Sequence, residues 1–158
     1  MHSYKTAWIV DDDMTYHHFL GAFLKELGYV TKSFLTGDDC LECISEKPDF
    51  IILDHNLGEE KNGLDILRNI KFEAPEIPVI YLSGQKKISM VSDAYNFGSE
   101  VYIEKDSASL LRIKLRIEKL EKIRLLKEKK KANLLKARIA ITSIILTSIL
   151  VALYFIIW

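Results

Sequence analysis

The sequence predicts an α/β fold, a parallel five-stranded sheet with helices on both faces. Three observations predict it. Short apolar runs and segments of helical spacing alternate five times in the first 106 residues, the pattern of a parallel sheet with crossover helices. One run, DFIILD, is apolar nearly throughout, as a strand buried on both faces is. Helix-ending glycines and helix-starting cap residues stand at the junctions.

The elements follow in order. AWIV reads as a short buried strand. From Met14 to Leu27 the apolar residues Phe19, Leu20, Phe23, Leu24 and Leu27 recur at helical spacing, and Gly28 suits a left-handed helix end. YVTKSF is a strand, and TGDDCLECISE opens with cap residues and becomes a helix. DFIILD, the helix NGLDILRNIKF, the strand PVIYLSG, the helix ISMVSDAYNFG and the strand VYI complete the five repeats. From Ser107 a helix runs on without Gly or Pro. Leu110, Ile113, Ile117 and Leu120 give its first part a packing face, so the expected first domain is 1–120. Residues 121–138 then form a basic helical stalk. At about 1.5 Å per residue, the helix over 107–138 spans roughly 48 Å.

Charge divides the chain in the same way. Residues 1–106 carry 10 Lys and Arg against 19 Asp and Glu, a balance of −9. Residues 107–138 carry 12 against 3, a balance of +9, and 139–158 carry none. The last segment, IAITSIILTSILVALYFIIW, is 20 residues long with short polar side chains only at Thr142, Ser143, Thr147 and Ser148. About 20 apolar residues match a hydrocarbon core of about 30 Å, so 139–158 is expected to be one transmembrane helix, a tail anchor. Lys129, Lys130, Lys131, Lys136 and Arg138 precede it, which places the first domain on the cytoplasmic face of a bacterial inner membrane by the positive-inside rule. Juxtamembrane attraction to anionic lipid accounts for the basic run, so no nucleic acid is expected. Ser143 with Thr147, or Ser148 with Ala152, offers a helix-pairing face for a homodimer.

The cysteines, Cys40 and Cys43 in CLEC, have the spacing of half a zinc site, but nothing completes it. They read as reduced thiols, consistent with a cytoplasm and with the lack of a signal peptide.

In such sheets ligands bind beyond the carboxyl ends of the strands. There stand Asp11, Asp12 and Asp13 after strand one, Asp54 after strand three, Ser83 and Gly84 after strand four, and Glu104 and Lys105 after strand five. Two carboxylates about 5 Å apart repel by roughly 1 to 3 kcal/mol at surface dielectrics, and a hard cation such as Mg²⁺ offsets that. A carboxylate, a metal, a hydroxyl and an ammonium together suit phosphoryl transfer, and the carboxylate can itself be the nucleophile. Asp13 reads as the cap of the following helix. His17, His18 and His55 read as solvated surface histidines.

This set resembles the receiver domain of two-component response regulators, over about residues 4 to 120. The resemblance rests on Asp11-Asp12 in IVDDD, Asp54 in IILDHNL, Ser83 in YLSG and Lys105 in YIEK. The spacings are 42 residues from Asp12 to Asp54, 29 to Ser83 and 22 to Lys105. It implies a flavodoxin-like sheet of order 2-1-3-4-5. Asp54 would be the phosphoacceptor. Asp11, Asp12, Asp54 and the backbone carbonyl of Asn56 would hold Mg²⁺. Ser83 and Lys105 would bind phosphoryl oxygens, and Tyr102 would be a switching aromatic. The implied donor is a histidine kinase, a phosphotransfer protein or a small acyl phosphate. The implied output is a protein partner bound through helix four, strand five and helix five, with no enzymatic activity beyond the chain's own phosphorylation and dephosphorylation. Three departures stand out. Gly58 replaces a usual proline, GEEKNG is one residue longer than the commonest loop, and Asp106 replaces the proline after the lysine. A non-proline cis bond costs about 2.5–4 kcal/mol, which favours a trans Lys105–Asp106 bond.

Two other readings compete. DDDMT also fits D-x-D-x-T through Asp11, Asp13 and Thr15, the opening of haloacid dehalogenase-like phosphohydrolases, with Ser83 and Lys105 as the later serine and lysine. It leaves Asp54 unexplained and lacks a later acidic strand end. The other is a phosphorylation-independent membrane scaffold of the same fold, against which the complete set of acids and lysine argues.

Overall fold

The computed structural model describes residues 4–58, 62–84 and 88–157, without the side chains of 88–90 and 155. Part of the GEEKNG loop, residues 59–61, and the terminal Trp158 therefore lie outside the described residues. The chain divides into two compact units, one ending at Ile113 and one beginning at Lys114.

The first unit holds five strands, β1 Thr6–Val10, β2 Val30–Phe34, β3 Phe50–Asp54, β4 Val79–Ser83 and β5 Val101–Glu104. They form one parallel sheet of order β2-β1-β3-β4-β5. Helices α1 Met14–Glu26, α2 Gly37–Glu42, α3 Gly63–Glu73 and α4 Ile88–Asn96 connect them, and α5 starts at Ser109. The two inner strands β3 and β4 are buried at every residue. Alternation sends their side chains to opposite faces. Trp8, Val10, Ile51, Leu53, Val79 and Tyr81 join one core cluster with Cys40, Ile66, Leu67 and Ile70 of α2 and α3. Ala7, Ile9, Phe50, Ile52, Ile80 and Leu82 are as fully buried on the alternate positions, and α1 packs against β1 and β2.

Caps set the helix ends. Thr36 accepts from Asp39 N, and Asn62 accepts from Leu64 N and Asp65 N. Gly28 takes φ 84° directly after the α1 cap Leu27, the left-handed conformation that glycine adopts without cost. The helix expected over TGDDCLECISE is shorter. It stops at Glu42, and a single 3-10 turn, Ile44–Glu46, ends in Lys47 at φ 51°. Both cysteines are free, Cys40 buried and Cys43 half-buried, and burial pushes the Cys40 thiol up to about 12.

The histidine reading needs correction. Of these three histidines, only His18 is exposed, with Nδ1 2.8 Å from the Met14 carbonyl. His17 is buried, because it shares a face of α1 with Leu20 and Leu24 at spacings of three and seven. His55 is half-buried, with Nδ1 2.7 Å from the Tyr81 hydroxyl. Burial on α1 also favours that 17/20/24 stripe over Phe19, which stays exposed.

The second unit is helical. α5 extends to Ile157, and its apolar end is long and apolar enough to cross a membrane by length and composition. Its four short hydroxyls bond back to the helix: Thr142 to Ile139 O at 2.8 Å, Ser143 to Ala140 O at 2.8 Å, Thr147 and Ser148 to Ile144 O at 2.9 Å. Their polarity is thereby met within the helix, as an apolar solvent requires.

Candidate metal and phosphoryl site

Strand register assembles the rim. Val10 pairs with Leu53, Asp54 with Leu82, and Ser83 with Glu104. The residues just past β1, β3, β4 and β5 therefore meet at one end of the sheet. Asp11, Asp12 and Asp54 come together there, with one carboxylate oxygen from each lying within 4.8 Å of the others. Asp11 and Asp54 are buried and Asp12 is exposed, so the cluster opens to solvent on one side.

Asp11 and Asp54 are each oriented by their own loop. Asp11 Oδ1 accepts from Asp13 N at 3.0 Å, and the Asp11 amide donates to Phe34 O at 3.1 Å. Asp54 Oδ2 accepts from Asn56 N at 3.2 Å. The Lys105 ammonium donates to Asp11 Oδ2 at 2.7 Å and lies 3.0 Å from Asp54 Oδ1. The ring of Tyr16 sits 4.3 Å from the same ammonium, a distance at which a ring face attracts a cation. Lys105 is itself placed by its amide, which donates to Ser83 O at 2.8 Å. No peptide bond among the described residues is cis, so the Lys105–Asp106 bond is trans and still delivers the lysine.

Electrostatics follow from burial. Loss of hydration pushes the Asp54 carboxyl above its ordinary value; Lys105 pulls it down and the Asp11 charge raises it further. Burial lowers Lys105, but the Asp11 hydrogen bond and the Asp54 charge outweigh it, so the ammonium is held charged. Asp54 Oδ1 keeps this ion pair without an aligned hydrogen bond. A buried carboxylate oxygen with spare lone pairs, beside two further carboxylates, fits a hard divalent cation that takes oxygen ligands. Asn56 lies two residues beyond Asp54, in the same loop.

Asp13 stands apart from the cluster. Its side chain accepts from Thr15 N at 2.8 Å and Tyr16 N at 3.3 Å and caps α1. Those backbone bonds hold its carboxyl below its ordinary value. An Asp committed to a cap is poorly placed as the second acid of D-x-D-x-T, which weakens the phosphohydrolase reading. Ser83 is buried at the end of β4, and Tyr102 is half-buried and stacked on Tyr81 with ring centres 6.1 Å apart.

Three contributors escaped the sequence reading: Gly63, His55 and Tyr81. A Cβ on Gly63 would overlap the carbonyl oxygen of Asp54, so glycine lets α3 start against the acceptor strand. The Gly63 amide also donates to His55 O at 2.7 Å. Asn62-Gly63 at a helix start was the available signal. Tyr81 is two residues before Ser83, on the same face of β4, and its register partner is Tyr102.

Comparison with known proteins agrees with this fold. The family model for the response regulator receiver domain matches residues 7–117. Over 99 residues the chain is 39% identical to an NtrX-like response regulator of Rickettsia typhi, covering 61% of this chain and 21% of that protein. It is 34% identical to the nitrogen assimilation regulatory protein NtrX of Azorhizobium caulinodans, covering 61% and 22%. The chain thus spans about a fifth of the length of the curated relatives it matches. Among solved structures, NtrX of Brucella abortus superposes with TM-score 0.68 at 29% identity, over 78% of this chain and 29% of that one. The BeF3-activated DrrB receiver domain does so with TM-score 0.67 at 28%, over 76% and 99%.

Proposed function

The chain belongs to the response regulator receiver domain family, and from that premise we propose that Asp54 accepts a phosphoryl group in a Mg²⁺-dependent phosphorelay. The observation that carries this reading is the buried Asp54 carboxylate within 4.8 Å of Asp11 and Asp12 and 3.0 Å from the Lys105 ammonium. One Asp54 oxygen attacks phosphorus and forms a P–O bond. The bond to the donor, the phosphohistidine nitrogen of a kinase or phosphotransfer protein or the oxygen of an acyl phosphate, breaks, and the donor leaves with its electron pair. Asp11, Asp12, Asp54 and the Asn56 carbonyl would hold the cation, whose chemistry is to neutralise phosphoryl oxygens. Lys105 neutralises a further oxygen as a point charge, and the Ser83 hydroxyl donates to another. Tyr102 and Ser83 carry the change toward α4, β5 and α5, where a protein partner reads it. In this role the chain is a signalling module, and its only chemistry is its own phosphorylation and dephosphorylation.

Two further relatives, each named DNA-binding transcriptional regulator NtrC, from Klebsiella pneumoniae (31% identical) and Escherichia coli (30% identical), are longer chains: the match covers 63% of this chain and 21% of each. For the segment in hand we assign residues 1–120 to the receiver, 121–138 to a stalk and 139–158 to an inner-membrane anchor with the receiver cytoplasmic. The basic side chains just before the apolar stretch support that orientation, and anionic lipid is their expected contact. The outputs to compare are therefore a protein partner at the membrane and, in longer relatives, a nucleic acid. A hydroxyl-bearing face in 139–158 would let two copies pair.

Mass spectrometry after incubation with acetyl phosphate and MgCl₂ tests the first reading. The expected result is one phosphoryl adduct on wild type and none on Asp54→Asn; equal labelling of both sinks it. Loss of signalling in Asp54→Asn would also set aside the phosphorylation-independent scaffold. Flotation with vesicles in alkaline carbonate tests the anchor, and release of the full chain into the soluble fraction overturns it.

A further inference from the structure

Tyr81 is fully buried at the centre of β4, yet it carries a polar hydroxyl. Its register partner on β5, Tyr102, stacks on it with ring planes 28° apart. The His55 ring meets it edge-on at 6.0 Å, and the hydroxyl lies 2.7 Å from His55 Nδ1. No other partner of the Tyr81 hydroxyl is found among the described residues. Burial raises the phenol above its ordinary value, so it keeps its proton. A buried hydroxyl with one partner directs its hydrogen there, because an unmade buried hydrogen bond is costly. His55 Nδ1 then accepts, and the imidazole proton resides on Nε2.

His55 stands between Asp54 and Asn56. Its backbone is fixed at both ends, by its amide donating to Leu82 O at 2.9 Å and by its carbonyl accepting from Gly63 N at 2.7 Å. Its side chain is fixed by Tyr81. We infer that Tyr81 is a positioning residue: through His55 it locks the loop that presents Asp54 and the Asn56 carbonyl to a divalent cation. This rests on the metal reading proposed above and deepens it. The pair acts as an outer shell to the cation, touching neither it nor the phosphoryl group. Aspartates alone would not need it, since Asp11 and Asp12 are oriented from a different strand.

The test is Mg²⁺ affinity of the full chain in detergent micelles, measured by calorimetric titration with MgCl₂. Tyr81→Phe removes one oxygen and keeps the ring. It is expected to bind Mg²⁺ about tenfold more weakly, the low end of what loss of an outer-shell partner costs. His55→Ala is expected to lose the same factor, and the double variant no more than either single one, because both break one bond. In ¹⁵N NMR spectra His55 should show the Nε2–H tautomer in wild type and a mixture in Tyr81→Phe, a signature that a purely packing role would not move. Wild-type affinity retained in Tyr81→Phe, or losses that multiply in the double variant, overturns the inference alone. Absence of Mg²⁺ binding in wild type overturns both it and the metal reading.

Discussion

Asp12 and Asp54 are 42 residues apart in the chain, yet together with Asp11 they offer oxygens within 4.8 Å of one another. Lys129, Lys130 and Lys131 are consecutive in sequence, and each is exposed on a helix. The first group is brought together by strand register, against its own repulsion. The second is kept apart by the 100° turn of successive helix positions. In the acidic cluster, position is set by a buried sheet and by backbone amides. In the basic stretch, position depends on local helix geometry alone. Charge density in a sequence is thus a poor guide to charge density in space, and long-range topology decides which one becomes a site.

This contrast can be broken most forcefully at Gly63. A methyl group there collides with the Asp54 carbonyl oxygen, a backbone atom that cannot swing aside. Gly63→Ala is expected to lower stability by about 3 kcal/mol, the upper range for overpacking. Urea denaturation measures that loss, and phosphoryl labelling should disappear with it although no charge has changed. An unaltered urea midpoint would mean that α3 can start elsewhere.

A smaller effect of opposite sign is expected at Asp54. Its carboxyl titrates above the ordinary range because burial and Asp11 oppose its charge more than Lys105 supports it. For an acid whose folded pKa is raised, the folded state holds the proton more tightly. Its stability contribution is therefore present at low pH and is lost as pH rises through the folded value. Asp54→Asn should stabilise the metal-free protein at neutral pH by about 1 kcal/mol, as relief of functional-site strain commonly does. The gap between variant and wild type should shrink as pH falls toward 4. Thermal unfolding in chelator across that range checks it, and a gap that widens in acid would contradict the assigned sign.

The smallest effect belongs to the other region. Leu126 is exposed on α5, so Leu126→Ala should change unfolding free energy by under about 0.5 kcal/mol. Ile52→Ala, the same kind of truncation at a fully buried β3 position, should cost about 3 kcal/mol. Equal losses by urea denaturation would show that the two regions do not differ as described.

Much of the fold was legible because its strands and helices obey simple periods. DFIILD announced a strand covered on both faces, and β3 is buried at every position. Asp13 announced a cap and makes both cap bonds. The acid cluster was legible because the ends of parallel strands converge, so knowing strand order suffices to gather Asp11, Asp12 and Asp54. What escaped depends on third dimensions that spacing does not encode. His17 was read by its chemistry instead of its place on the 17/20/24 stripe. The Tyr81–His55 bond joins residues 26 apart, on the centre of one strand and the loop after another. Gly63 carries no side chain to read, and its role shows only against the carbonyl beside it.

Lys105 adds a consequence for affinity. Its ammonium already stands between Asp11 Oδ2 and Asp54 Oδ1, tethered by a strand and present at an effective concentration of about millimolar or higher. A dissolved cation must compete with one that never diffuses away. Occupancy of the cluster is then set by an exchange between two positive charges, one mobile and one built in. Tight binding would demand that the lysine yield, and modest binding lets each arriving phosphoryl group find a cation on one side and an ammonium on the other.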